Sequence, residues 1–206
     1  PVTSDDPVWG DRAAPVTVVV FSDYQCPFCG NLDGTIADLK KKYGAHRLRV
    51  VHKHMPLDMH KDARPAAIAA ETVRILGGSD AFFQFSERAF ADPKNLTNAN
   101  FNAFARAAGV DTKAITKELV ERATKKVDED IAEAKAAGVT GTPTSFVNGV
   151  RVGGAAKVDA FSTIIDEELK KAAKLGVRAD KKYVLLSRQA KLAADAEKRR
   201  KGQHKP

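Results

Sequence analysis

Cysteine is scarce in this chain. The 206 residues hold two, Cys26 and Cys29, and both fall in one C-x-x-C motif. A cysteine-dense disulfide scaffold is therefore excluded. A structural zinc site is disfavoured, because zinc usually takes four ligands and there is no second cysteine pair to complete the set. Long apolar runs are also missing, so no stretch reads as a membrane span. The opening residues, Pro1-Val-Thr-Ser-Asp-Asp, have neither the basic start nor the apolar stretch of a signal peptide, although a processed chain would read the same. With both cysteines in one motif, the redox compartment stays open.

Acidic residues run short only at the C-terminal end. From Lys170 onward there are 13 Lys and Arg against 3 Asp and Glu, while the preceding residues hold 21 against 23. The net charge of +8 thus belongs to the tail, and the rest is close to neutral. Lys181 to Lys201 is helix-permissive, with Tyr183, Leu185, Leu186 and Leu192, and it ends in Lys198-Arg-Arg-Lys201. Such a run can bind nucleic acid. Without the interleaved aromatics that stacking readers need, it reads as a solvated extension, and no nucleic-acid partner is expected.

What is present is organised around Phe21-Ser-Asp-Tyr-Gln-Cys-Pro-Phe-Cys-Gly30. Val16 to Phe21 is apolar and β-branched, the pattern of a buried strand. Asn31 to Tyr43 carries Leu32, Ile36 and Leu39 at helical spacing. It ends in Lys40-Lys-Lys42, which suits a helix C-terminus. The cysteines therefore stand where a strand hands over to a helix, with Cys26 at or just before the first turn. Backbone N–H groups and the positive end of the helix dipole converge there, so a thiolate is stabilised relative to the thiol. Pro27 has no N–H to waste in that turn, and its fixed φ suits initiation. The spacing lets the pair cycle between dithiol and disulfide, Cys26 attacking and Cys29 resolving. A purely structural disulfide remains an alternative, although so short a loop stabilises little.

His46 to His54 alternates as a strand ended by Met55-Pro56, which makes a β-α-β unit with a parallel pair. His52 and His54 share one face of that strand, with Met55, Met59 and His60 nearby. A metal site is conceivable there, but polar residues at a domain seam are the better reading. From Met59 to Ala137 the pattern turns helical. Segments are expected over 65–76, stopped by Gly77-Gly78, and over 80–91. Another follows a cap at Thr97 or Asn98, one is capped by Asp111, and one runs over 123–137. Phe82, Phe83, Phe85, Phe90, Phe101 and Phe104 read as core. An insert of this length is a subdomain rather than a loop. Thr144 to Val147, the turn Asn148-Gly149, and Val150 to Val152 form a hairpin. An amphipathic helix follows over 158–175.

Strand, then Phe21-Ser-Asp-Tyr-Gln-Cys-Pro-Phe-Cys29, then helix resembles the DsbA-like branch of the thioredoxin superfamily. Gly138-Val-Thr-Gly-Thr-Pro-Thr-Ser-Phe-Val-Asn-Gly149 downstream agrees, and the resemblance covers roughly residues 7–175. It implies an α/β thioredoxin-like fold over 7–56 and 138–175, an inserted helical subdomain over 57–137, and a basic C-terminal extension over 176–206. It also implies a cis Thr142–Pro143 bond facing the cysteines. Thr142 and Pro143 would then offer backbone to an extended substrate segment. Pro27 and Phe28 would tune the redox couple. The family position six residues before the first cysteine often holds a buried acid, but here it is Val20. Proton transfer is then left to water or to Lys53.

The resemblance implies a thiol–disulfide oxidoreductase, most simply an oxidant. It needs no cofactor and no metal, acts on protein or peptide thiols, and is restored by a separate redox partner in an extracytoplasmic, periplasmic or cell-envelope setting. An isomerase or reductase on the same fold, or a non-catalytic partner-binding module, are the alternatives.

Overall fold

The computed structural model describes residues 1–176 and 179–203. The strands are β1 (Val8–Trp9), β2 (Val16–Ser22), β3 (Leu48–His54), β4 (Thr144–Val147) and β5 (Val150–Gly153). The helices are α1 (Pro27–Tyr43), α2 (Ala63–Ala91), α3 (Asn98–Ala107), α4 (Lys117–Ala136), α5 (Val158–Lys174) and α6 (Ala179–Gln203). The strands form one five-stranded sheet in the order β1-β3-β2-β4-β5. β2 and β3 are parallel, and the other three pairings, β1–β3, β2–β4 and β4–β5, are antiparallel. β2 is buried along its whole length, as a central strand covered on both faces must be.

Period-2 alternation along β2 feeds two different cores. Val16, Val18 and Val20 pack with Val50 of β3 against Leu32, Ile36 and Leu39 of α1 and Phe161 and Ile165 of α5. Val19 and Phe21 face the other way, with Val51, Met55, Ala134 of α4 and Val139. A third cluster holds Tyr24 against Phe82, Phe85, Ala89 and Phe101 of the helical insert. The phenylalanines of α2 and α3 therefore serve as core, and Tyr24 joins that core to the end of β2.

Two local expectations need correction. Asp111 does not open a helix that runs on through Leu119; it caps only a single 3₁₀ turn at Thr112–Ala114 by accepting the Lys113 N–H at 2.9 Å. The long helix starts afresh at Thr116, whose hydroxyl accepts from Leu119 N–H, and runs unbroken as α4 through the expected gap before Ala123. Asp and Thr are both good caps, so the sequence offers two starts here, and the chain uses Asp111 for the 3₁₀ turn and Thr116 for the long helix. The other correction concerns the extension. α6 is not simply solvated: Leu186 is 3% exposed, Tyr183 packs beside Val19 and Phe21, and the Arg49 guanidinium lies 5.2 Å from the Tyr183 ring.

Two glycines are required by geometry. Gly78 adopts φ 76° inside the α2 span and breaks it into two helical rods, a conformation only glycine holds without strain. Gly149 (φ 90°) closes the β4–β5 hairpin after Asn148 (φ 44°), and a Cβ there would fall 2.9 Å from Cα of Ser187 in α6. The basic end at 204–206 lies outside the described residues. No helix among the described residues is long and apolar enough to cross a membrane.

Candidate active site

β2 ends at Ser22, and four residues later Cys26 takes the N-cap of α1 with extended backbone (φ −76°, ψ 117°). Its carbonyl accepts the N–H groups of Cys29 at 3.0 Å and Gly30 at 3.3 Å. Its side chain caps nothing, Pro27 follows in the first turn, and that turn contains no acid. Cys26 thus stands at the free N–H end of a 17-residue helix, where negative charge is favoured. Cys26 is 5% exposed and Cys29 1%, and both are thiols. Pro27 and Phe28 lie on the outer surface, with Phe28 61% exposed.

The second motif closes over this helix end. The Cys26 thiol donates to the carbonyl oxygen of Thr142 at 3.4 Å. The Thr142–Pro143 peptide is cis. Thr144 Oγ1 donates to the Gly141 carbonyl at 2.8 Å, and Gly154 N–H donates to the Pro143 carbonyl at 3.0 Å. These bonds hold the loop at the head of β4, which is paired with β2 through Phe21↔Thr144. The structure therefore brings Cys26, Cys29, Thr142 and Pro143 together, with Pro27 and Phe28 at the rim.

Cys29 is placed differently from Cys26. Its sulfur accepts the Asp23 N–H at 3.4 Å. Burial pushes its thiol up to about 12, against the lowering effect of the Ser22 hydroxyl and that N–H, while the neighbouring Cys26 sulfur raises it further. One cysteine therefore meets the helix terminus and the Thr142 loop, and the other stays protonated behind it.

Sequence reasoning passed over the latch that shapes this loop. The Asp23 carboxylate accepts the Gln25 N–H at 2.7 Å and the Leu57 N–H at 2.8 Å, and it pairs with His60 Nδ1 at 2.8 Å. Gln25 and Asp62 exchange a further pair of hydrogen bonds at 3.2 and 2.6 Å. The bond from Asp23 to the N–H two residues on is an Asx-turn, a signal the sequence does carry. Its reach to Leu57 and His60 is not local.

Lys53 does not reach the cysteines. It alternates with His52 along β3 and so faces the opposite side of the sheet from α1. Its ammonium is paired with Asp6 at 2.9 Å, Asp130 at 3.4 Å and Glu133 at 2.7 Å. The expectation that it relays protons to the thiols is withdrawn. His52 and His54 do face α1 and the helical insert. Tyr24 stacks on His52 with ring centroids 5.8 Å apart, and Phe82 meets both imidazoles edge-on. Burial and the neighbouring His54 hold the His52 imidazole well below the usual histidine range. Among the described residues, no cluster of three His, Cys, Asp or Glu is grouped to hold a metal.

A family described as Thioredoxin matches residues 2–167. Among curated proteins, the Na(+)/H(+) antiporter NhaA 1 of Salinispora arenicola is 34% identical over 168 residues, which are 80% of this chain and 25% of that protein. The chain thus spans about a quarter of the length of the curated relatives it matches. Among solved structures, Proteus mirabilis ScsC in a transitional conformation is similar with TM-score 0.71 and 24% identity, covering 82% of this chain and 74% of that one. A periplasmic thioredoxin-like protein from Salmonella enterica serovar Typhimurium is similar with TM-score 0.70 and 23% identity, covering 81% and 91%. At those identities the likeness speaks for the fold.

Proposed function

The chain belongs to the thioredoxin family, and on that premise we propose that it is a DsbA-like thiol–disulfide oxidoreductase, an oxidant of protein dithiols. A substrate thiolate attacks Cys26 of the Cys26–Cys29 disulfide, and the electron pair leaves on Cys29. The second substrate thiol then displaces Cys26 from the mixed disulfide, which leaves an oxidised substrate and a reduced protein. A separate redox partner reverses the electron flow to restore the disulfide. The Thr142 backbone, against the Cys26 sulfur, is where an extended substrate segment pairs.

The observation that carries this reading is the seat of Cys26 at the N-cap of α1, with no acid in the first turn and Val20 in the strand beneath. The helix end stabilises a thiolate but has nothing to stabilise in an uncharged disulfide, so the reduced form is favoured and the couple is oxidising. Phe28 supplies no positive charge to push it further. The expected potential lies between roughly −200 and −120 mV. Oxidants of this poise act where thiols are not kept reduced, which favours a setting outside the cytoplasm. The likeness to a periplasmic thioredoxin-like protein supports that placement.

Equilibration of the protein with glutathione buffers, scored by the dithiol fraction, tests the proposal. A potential near −270 mV, the thioredoxin value, would make the protein a reductase and overturn the reading. Failure to turn over either insulin or a reduced peptide would leave only a binding module.

A further inference from the structure

Cys29 must gain a proton each time it leaves a disulfide and lose one each time it attacks. Neither acid nor amine from the strands serves it: Val20 is apolar, and Lys53 is on the other face. Behind Cys29, however, lies a cavity of about 30 Å³ bounded by α1, the sheet and α2. That is room for at least one water. Cys29, Asp33, Lys40, Ser22 and His52 all line it.

Asp33 follows Cys29 by one helical turn (i, i+4), so both side chains lie on the same face of α1. Ser22 Oγ contacts the Cys29 sulfur. His52 is 7% exposed, and its Nε2 has no hydrogen-bond partner. A buried polar atom without a protein partner, in a cavity large enough for water, is where an ordered water is expected. Asp33 and Lys40 are only half-buried, which gives the cavity proton exchange with solvent. Lys40 is held over the Phe83 ring at 4.3 Å.

We propose that Asp33 is the proton-transfer group for Cys29, acting through water in this cavity; the inference rests on the oxidoreductase reading above. As a substrate thiolate bonds to Cys26, the Cys26–Cys29 bond breaks and its electron pair stays on the Cys29 sulfur. The Asp33 carboxyl proton passes through water to that sulfur, and solvent reprotonates Asp33. When Cys29 attacks, the proton travels the other way and the carboxylate receives it. The electrons of each step stay between the protein sulfurs and the substrate sulfurs.

The charge setting suits a group that both gives and takes a proton. Burial raises the Asp33 carboxyl above the usual range, the Lys40 ammonium opposes the rise, and Glu87 of α2 adds to it. His52 of β3 stays neutral through burial, and Tyr24, buried and bonded to Ser86 at 2.7 Å, keeps its phenol proton. A carboxylate raised by burial costs stability when ionised, and that cost falls on the native state at neutral pH. A purely structural acid would do the reverse.

The test is stopped-flow reaction of the reduced protein with 5,5′-dithiobis(2-nitrobenzoate), which releases one thionitrobenzoate as Cys26 is modified and a second as Cys29 displaces it. With Asp33→Asn we expect the first phase unchanged and the second slowed by roughly tenfold or more near neutral pH. Its dependence on a carboxyl ionisation should vanish, and thermal stability should be equal or higher. Asp33→Glu should restore the second phase in part. Lys40→Met should move the acid limb of the second phase to higher pH.

A second phase in Asp33→Asn within about twofold of the unmodified protein at every pH would overturn the proposal and leave the oxidoreductase reading standing. Equal slowing of both phases with a lower melting temperature would also overturn it, by making Asp33 structural. Absence of any second phase in the unmodified protein would remove both readings.

Discussion

The sulfur of Cys26 lies 3.4 Å from the carbonyl oxygen of Thr142, a residue 116 positions further along the chain. The whole helical insert intervenes in sequence, yet the contact is short because β2 and β4 are neighbours in the sheet. Both motifs leave that strand pair at the same edge. On the function proposed above, a substrate segment bonded to Cys26 would be presented to the Thr142 backbone.

Replacement of Cys29 by Ser should trap mixed disulfides through Cys26, because the buried resolving sulfur is gone while the helix-end sulfur remains. Non-reducing gels of the variant incubated with reduced protein substrates check this. Trapping by Cys26→Ser instead would reverse the two roles.

Alkylation should separate the pair. Burial pushes the Cys29 thiol up to about 12, so below that pH it is a neutral thiol, and at 1% exposure it is also shielded. Iodoacetamide on the reduced protein at neutral pH should label Cys26 alone, read by peptide mass spectrometry. Labelling of Cys29 should appear only on unfolding or at strongly alkaline pH.

The buried charges under β3 should be costly to unbalance. Asp130 accepts the His54 N–H at 3.0 Å, lies 3.4 Å from the Lys53 ammonium and also pairs closely with Lys126. Asp130→Ala leaves two buried ammonium groups under-paired and is expected to destabilise by about 3–5 kcal/mol, read by urea unfolding. Asp6 belongs to the same network. Burial works against its charge, but Lys126, the Thr3 N–H and Lys53 hold its carboxyl below the usual range. A lowered carboxyl stabilises the fold above its unfolded value and loses that contribution as pH falls through its folded one. Stability should therefore drop below about pH 4, and less steeply in Asp6→Asn.

Docking of α6 should appear as stability rather than activity. Leu186 is buried, and among the described residues no hydrogen bond of Cys26, Cys29 or the Thr142 loop involves α6. Leu186→Ala is expected to cost about 2–5 kcal/mol. A chain ending at Gly176 should melt earlier, yet exchange with a small peptide at an unchanged rate below its transition. A truncated chain that unfolds cooperatively at the full-length temperature would show that α6 adds nothing to the core.

Much of this architecture was legible because its signals are local. The change from an all-apolar run in β2 to 3.6-residue periodicity in α1 places Cys26 at a helix start without knowledge of any neighbour. Asn148-Gly149 announces its own turn, Gly78 its own kink, and Thr97 its own cap, which accepts the Asn100 N–H. α4 was misjudged at its start because two plausible caps, Asp111 and Thr116, compete within six residues.

The sequence by itself determined that both cysteines stand at the junction of a strand and a helix, since periodicity and cap chemistry act within a few residues. Only the tertiary structure decided which face each charged group occupies and what it meets there. Lys53 looked available, but sheet pairing turned it toward Asp6 and Asp130, 47 and 77 positions away. Asp33, one helical turn beyond Cys29, carries no local sign of the cavity that α1, the sheet and α2 form around it. Burial of a charge depends on partners brought from distant parts of the chain, and no local pattern encodes that desolvation.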